Sequence, residues 1–159
     1  MPGRYSLSAK DLPMTTETTI QPESRERLIE EGLFRLDEAG TPRLRGSKCS
    51  ACGTVFLGRR FVCLACFDLS LEETDLSAEG EVYSFTTVRQ QSPDSLIAPP
   101  YTVVQVKLPE RIIVTAPLLE IAPEAVTIGL PVQTKAFRFT EPSGQVVVSY
   151  AFVPTKAQA

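Results

Sequence analysis

The sequence contains no histidine and no tryptophan, only two methionines, and four cysteines confined to 18 residues. Without imidazole, the chain cannot supply Ser-His or Cys-His nucleophilic machinery, histidine general bases or histidine-ligated metals. It also lacks a Ser-x-x-Lys sequence and a Gly-rich phosphate loop, so no catalytic set is expected. No apolar run approaches the roughly 20 residues of a membrane span. The opening MPGRYSLSAKDLP lacks the hydrophobic stretch of a secretory signal. A cytoplasmic location is therefore the expectation, and thiols stay reduced there. The 159 residues are 43% hydrophobic and 22% charged, enough for one ordinary globular domain or two small ones.

The formal net charge of −3 does not favour nucleic acid as a partner. The charge is unevenly placed. Between Thr41 and Cys66 stand five basic residues (Arg43, Arg45, Lys48, Arg59, Arg60) and no acid, whereas Phe67 to Glu81 holds six acids and no base. Four thiolates on one dication subtract two charges, which leaves the basic stretch at about +3. Such a stretch reads either as a solvated surface or as an anion-binding face.

The first 20 residues show no apolar period and read as an arm. A short charged helix is expected over Pro22–Glu31, with Pro22 at its start, Leu28 and Ile29 as a narrow apolar stripe and Gly32 as its stop. From Gly80 onward the pattern alternates with period two in GEVYSFTTV, YTVVQVKL, RIIVTAPLL, PVQTKAFRF and QVVVSYAFV, which predicts five strands. A helical turn is expected between Pro123 and Gly129. Three strands, a short helix and two strands is the order of an OB-fold barrel. The expected architecture is mainly β. An N-terminal arm and docking helix (1–32) precede a rubredoxin-like zinc ribbon (33–75) and a five-stranded OB-fold barrel (76–159).

The chemistry-bearing motif is Cys49-x-x-Cys52 followed, ten residues later, by Cys63-x-x-Cys66. A two-residue gap lets one tight turn offer two sulfurs on the same side. Gly53 can take the positive φ that such a turn needs. Zinc prefers a tetrahedron of thiolates at about 2.3 Å, and four protein sulfurs leave no position for water, so a structural zinc site is expected. Doubled pairs argue against a redox motif, and reduced surroundings argue against two disulfides. A ribbon this small cannot fold on an apolar core alone, so metal binding and folding should be coupled.

This order of elements resembles the zinc-ribbon/OB-fold proteins associated with acyl-CoA enzymes, long catalogued as a domain of unknown function. The resemblance runs from about Pro22 to Pro154. It is carried by Gly46-Ser47-Lys48-Cys49, Cys52-Gly53, Phe56, Arg60 and Cys63-x-x-Cys66 in the ribbon. In the barrel it rests on Gly80-Glu81-Val82-Tyr83-Ser84-Phe85-Thr86, Pro99-Pro100-Tyr101, Ile128-Gly129-Leu130-Pro131-Val132 and Phe152-Val153-Pro154. Three places depart from the family pattern: Leu57-Gly58 and Leu64 stand where prolines are common, and Phe67 stands where glycine follows the last cysteine. These changes touch loop stiffness more than ligation.

The resemblance implies a non-catalytic accessory subunit of a thiolase-fold enzyme, in which the barrel helps hold coenzyme A and the ribbon bridges to a partner that supplies the catalytic cysteine and histidines. A benzoylsuccinyl-CoA thiolase is the type of complex it points to, with two copies of each chain. The N-terminal arm and helix would lie against the partner. Coenzyme A phosphates need arginine or lysine donors, for which Arg59, Arg60, Lys135 and Arg138 are the candidates. The alternative is a single-stranded nucleic-acid-binding protein, in which the aromatic pairs Tyr83/Phe85, Phe137/Phe139 and Tyr150/Phe152 would stack bases instead of filling core or interface.

Overall fold

The computed structural model describes residues 27–29, 32–91, 95, 97–141 and 143–155. Among the described residues ten strands carry the fold: β1 (Arg27–Leu28), β2 (Phe34–Leu36), β3 (Pro42–Cys49), β4 (Val55–Leu57), β5 (Leu71–Asp75), β6 (Glu79–Val88), β7 (Tyr101–Lys107), β8 (Ile113–Leu118), β9 (Pro131–Thr140) and β10 (Val146–Pro154). The last five match the five alternating segments of the sequence. They close into a barrel through β6–β7, β7–β8, β8–β10, β10–β9 and β9–β6. Closure rests on unequal seams. β9 and β10 pair antiparallel over nine positions, whereas β8 and β10 meet in parallel at one, Phe152 opposite Leu118, where the Leu119 amide donates to the Phe152 carbonyl at 2.9 Å. A single 3-10 turn, Pro123–Ala125, lies where the helical turn was expected.

Period two is visible in the burial. Along β7, Thr102, Val104 and Val106 point inward, and along β8, Val114, Ala116 and Leu118 do the same. Gly80 is required at the start of β6, because a Cβ there would stand 2.6 Å from Val106 Cγ1 and 2.7 Å from the Lys107 carbonyl.

The expected N-terminal helix is not formed where it can be judged. Arg27 and Leu28 are extended and pair in parallel with Val147 and Val148 of β10, and the Ile29 amide donates to the Val148 carbonyl. Residues 1–26, which include the arm and the proposed helix start, lie outside the described residues, as do residues 30–31. The physical reason is competition. Leu28 and Ile29 are sequence neighbours and make no stripe with a period of three to four, so a short helix gains little burial. The edge of β10 offers unpaired backbone groups instead, and Leu28 packs on the core. Gly32 does adopt a positive φ, of 87°, but in a turn leading into β2.

The ribbon sheet is centred on β3, which pairs antiparallel with β2, β4 and β5. This sheet is fused to the barrel. Phe34, Leu44 and Leu76 belong to the same buried cluster as Val82, Val104, Val148 and Phe152. Phe34 meets Tyr150 edge to face at 5.5 Å. Two polar ties lock the junction: the Thr134 hydroxyl donates to the Pro42 carbonyl at 2.9 Å, and the Ser77 amide and hydroxyl both donate to Glu110 Oε1 at 2.8 and 2.7 Å. β3 therefore runs from the shared core at Leu44 to the first cysteine at Cys49.

Candidate metal centre and adjoining surfaces

The two cysteine pairs sit in two backbone turns of the same design. In the first, Gly53 donates its amide to the Cys49 carbonyl at 2.8 Å, and the Cys49 amide donates to the Thr54 carbonyl at 2.9 Å. In the second, Phe67 donates to the Cys63 carbonyl at 2.9 Å, and the Cys63 amide donates to the Asp68 carbonyl at 2.9 Å. The leading cysteines, Cys49 and Cys63, are buried, and the trailing ones, Cys52 and Cys66, are exposed. All four Sγ atoms lie within 4.8 Å of one another, with Cys49–Cys66 and Cys52–Cys63 at 3.6 Å. A tetrahedral zinc with bonds of about 2.3 Å places its sulfurs about 3.8 Å apart. The four ligands predicted from the sequence are therefore together and positioned for a metal.

Crowding sets their acid–base chemistry. The Thr54 hydroxyl and amide, together with Cys66, hold the Cys52 thiol down to about 6. At Cys66 the Asp68 amide favours the thiolate, but the neighbouring Cys52, burial and the other sulfurs outweigh it and push the group up to about 12. A dication among the four would remove that conflict, because a coordinated thiol is deprotonated outright.

The turn closures require a left-handed residue after each trailing cysteine. Gly53 has φ 75°, and Phe67 has φ 62°. For an L-residue with a bulky side chain this region costs about 1–2 kcal/mol. Arg111 and Glu120 also have positive φ, at 65° and 61°, but both are flexible polar residues next to strand ends.

The four candidate cations separate into two pairs. Lys135 and Arg138 on β9 line a cleft of about 640 Å³, together with Gly40 and Thr41 of the β2–β3 turn, Glu120 and Gln133. Lys135 forms an ion pair with Glu120. Arg59 and Arg60 do not line that cleft. They are exposed on the ribbon between β4 and the second knuckle, where the Arg59 guanidinium stacks over Phe61 at 5.1 Å and stands 3.8 Å from Glu73. The Arg60 amide donates to the Ser47 hydroxyl at 2.9 Å.

The three aromatic pairs also diverge. Phe152 is fully buried and Tyr150 packs on Phe34, which makes them core. Phe137 and Phe139 are half-buried with ring centroids 6.0 Å apart. Tyr83 and Phe85 are exposed, and a bulge between Val82 and Ser84 interrupts the β6–β7 register at Tyr83.

Sequence reasoning missed two features. One is the cleft itself, formed by a ribbon turn packing on β9. The Asp37–Thr41 turn signal was readable, since the Asp37 carboxylate accepts the Ala39 and Thr41 amides and pairs with Arg43, but its tertiary partner was not. The other is the exposure of Phe61, Val62, Leu64, Phe67 and Leu69 around the second knuckle. Its signal was the substitution of Phe67 and Leu64 at turn positions.

Among the described residues no helix is long and apolar enough to cross a membrane. Residues 36–72 match the profile of the ChsH2 rubredoxin-like zinc ribbon domain, and residues 73–138 match that of the ChsH2 C-terminal OB-fold domain. Over 110 residues the chain is 32% identical to a DUF35 domain-containing scaffold protein of Methanothermobacter thermautotrophicus, which covers 69% of this chain and 83% of that one. It is 31% identical over 113 residues to benzoylsuccinyl-CoA thiolase subunit BbsA of Geobacter metallireducens, covering 66% of this chain and 74% of the relative. Among solved structures, the Ltp2-ChsH2(DUF35) aldolase is similar with a TM-score of 0.57 at 27% identity, across 70% of this chain and 84% of that one.

Proposed function

This chain belongs to the DUF35 family of scaffold proteins, which are built from a zinc ribbon and an OB-fold, and we propose that it is a non-catalytic, acyl-CoA-binding subunit of a thiolase-fold complex. The observation that carries this reading is the gathering of every cysteine into one metal centre in a chain without histidine. Such a chain keeps neither a free thiol nucleophile nor an imidazole base. Making or breaking a carbon–carbon bond in a 3-oxoacyl-CoA then falls to the partner, whose own cysteine carries the acyl group as a thioester. Relatives named as a thiolase subunit and as part of an aldolase support this class of partner. The thiolase relative's name supports an aromatic acylsuccinyl-CoA as the substrate class. The assembly we propose has two copies of each chain.

Zinc on Cys49, Cys52, Cys63 and Cys66 would be structural, because four protein sulfurs complete its tetrahedron. It would hold the two knuckles at the end of β3 and so fix the ribbon on the barrel. For coenzyme A, the cleft lined by Lys135 and Arg138 has a size suited to a small ligand. A phosphate there would compete with Glu120 for Lys135. Arg59 and Arg60 would serve the ligand only from the ribbon side.

The isolated chain should show no thiolytic or acyl-transfer turnover, and turnover should appear when the thiolase-fold subunit is added. Turnover by this chain alone would overturn the reading. Replacing Lys135 and Arg138 together by alanine should weaken coenzyme A binding by the complex, each lost charge-assisted hydrogen bond being worth about 1.5–3 kcal/mol. Unchanged affinity would move the ligand off this cleft.

The exposure of Tyr83 and Phe85 on an OB-fold strand favours one other reading, a single-stranded nucleic-acid binder. That protein would bind oligonucleotides in a steeply salt-dependent manner and leave acyl-CoA enzymes unaffected. The net charge of −3 weighs against it.

A further inference from the structure

β6 has neighbours on both sides along only part of its length. Glu79, Gly80 and Glu81 pair with β9, while residues 81–88 pair with β7 on the opposite side. Val82 is the last residue whose outer edge is occupied. Its amide donates to the Leu130 carbonyl at 2.9 Å, and its carbonyl accepts the Gly129 amide at 2.7 Å. Beyond it, among the described residues, 83–88 have β7 as their one strand neighbour. Burial records the missing neighbour. Phe85 lies opposite Val104, on the face of the sheet that forms the core, yet it is 38% exposed where Val104 is fully buried. Tyr83 is 54% exposed on the same edge, and Ile128, next to the Gly129 that bonds Val82, is 72% exposed.

The composition of this edge points to what completes it. Edge strands are ordinarily blunted by a charge or a proline, because their open backbone groups recruit other strands. Residues 82–88, Val-Tyr-Ser-Phe-Thr-Thr-Val, contain neither, and they are the β-branched and aromatic types that strands favour. Charge stands only at the two ends, Glu81 and Arg89, each four residues from Phe85. Antiparallel pairing of two identical edges about Phe85 therefore sets each Arg89 beside the Glu81 of the other copy. The bulge at Tyr83 displaces that match by one position, which an arginine side chain spans. Among the described residues the exposed Arg89 makes no ion pair, and Glu81 has Lys107 at 3.9 Å. No like charges meet along the pairing.

We infer that the open edge of β6 is a self-association surface, on which two copies of the chain join their β6 strands antiparallel across a two-fold axis near Phe85. Such an isologous contact closes both open edges at once, covers the Tyr83 and Phe85 rings and makes the Glu81–Arg89 pair twice. The charges on β6, on β7 and on the residue after β6 are Glu79, Glu81, Lys107 and Arg89, which cancel. That balance suits a second copy and not a polyanion stacked on the aromatic rings. The contact is a property of this chain alone and does not require the acyl-CoA reading.

Sedimentation equilibrium of the purified full-length chain tests this. The wild type should reach twice its 17.4 kDa with a Kd of about 1–100 µM. Phe85→Arg brings two like charges together at the axis and should raise that Kd about tenfold or more. Thr86→Lys, at an exposed position of the same edge, should act alike without touching the core, and an unchanged melting temperature shows that its fold is intact. Arg89→Glu and Glu81→Arg should each weaken the dimer about threefold. Both substitutions in one chain should restore it, since the two charges are merely exchanged across the axis; damage to the fold is not repaired in this way. A wild type that stays monomeric at about 100 µM overturns the inference. So does a dimer that survives both Phe85→Arg and Thr86→Lys, or a charge exchange that fails to restore association. A monomer whose binding of single-stranded oligonucleotide is lost in Phe85→Arg would give the edge to nucleic acid and overturn it as well. The acyl-CoA reading stands or falls separately, on turnover with the thiolase-fold subunit.

Discussion

The two cysteine turns are the same piece of backbone used twice, and they differ in what surrounds it. The first continues the ribbon sheet: Cys49 ends β3, the Thr54 hydroxyl sits 3.1 Å from Cys52 Sγ, and Lys48 and Cys49 pair with Glu72 and Leu71 of β5. The second lies between β4 and β5, and Phe61, Val62, Leu64, Phe67 and Leu69 are exposed around it. Equivalent metal chemistry thus permits unequal surfaces. A metal on the four cysteines would secure the fold of both turns and so release the residues between and after them from packing. Glycine holds the left-handed position of the first turn, whereas an exposed phenylalanine holds that of the second.

The largest effect should come from removing what the turns share. Cys49→Ser and Cys63→Ser should each lower the bound zinc from one per chain to none, measured by elemental analysis of gel-filtered protein. Structural zinc contributes about 10–16 kcal/mol of apparent binding energy in zinc-finger peptides. The two substitutions should be equally severe, because each turn supplies half of one tetrahedron. The damage should also reach the barrel, since β3 connects Cys49 to Leu44 in the shared core. Circular dichroism melting should show a single transition at a lower temperature. Folded, reduced wild-type protein that bound no metal would overturn the assignment of the four cysteines to zinc.

A smaller effect tests the left-handed position itself. Gly53→Ala should destabilise the chain by about 1–2 kcal/mol. No steric clash contributes to that figure, because a Cβ at Gly53 would meet nothing within 4 Å. The loss can be read from chemical denaturation with unchanged slope. It measures on the first turn the strain that Phe67 already carries on the second. A neutral Gly53→Ala would mean that the turns tolerate side chains at positive φ and that Phe67 carries no strain.

Spacing made the metal ligands legible, because Cys-x-x-Cys forces two sulfurs to one side of a turn whatever the rest of the chain does. Period two together with turn residues made the five barrel strands legible, since Val104 and Val106 can both face inward only on an extended strand. The segment at Leu28 was misread because its backbone partner is β10, more than a hundred residues away, and no local pattern records such a pairing. Lys135 and Arg138 were candidates for coenzyme A by charge alone, and the cleft they share depends on a turn at Gly40 that is far from them in sequence. Phe67 was visible as an odd residue at a glycine position. What the sequence could not show was that the residue keeps the glycine's φ and stays in solvent.

The smallest effect concerns the opposite end of β3, where a carboxylate replaces the metal as the closing device. Asp37 closes the β2–β3 turn, accepting the Thr41 amide at 2.8 Å and the Ala39 amide at 3.0 Å and pairing with Arg43 at 2.9 Å. The Thr41 amide is the largest cause holding this carboxyl below its ordinary range, with the Arg43 hydrogen bond and charge and the Ala39 amide reinforcing it against burial. A carboxyl depressed in the folded state binds its proton more readily in the unfolded chain. Its contribution to stability is therefore complete above the unfolded value of about 3.9 and is lost as pH falls through the lower folded value. Asp37→Asn should accordingly melt below the wild type by a constant margin above pH 5, and the margin should shrink below pH 4. Zinc thiolates also take up protons in acid, but that loss is common to both proteins and cancels in the difference. Amide exchange at Thr41 gives the local readout: faster in Asp37→Asn at neutral pH, and convergent with the wild type in acid. A margin that persisted undiminished below pH 3 would mean that the asparagine fails for reasons of shape and that the turn does not depend on the charge.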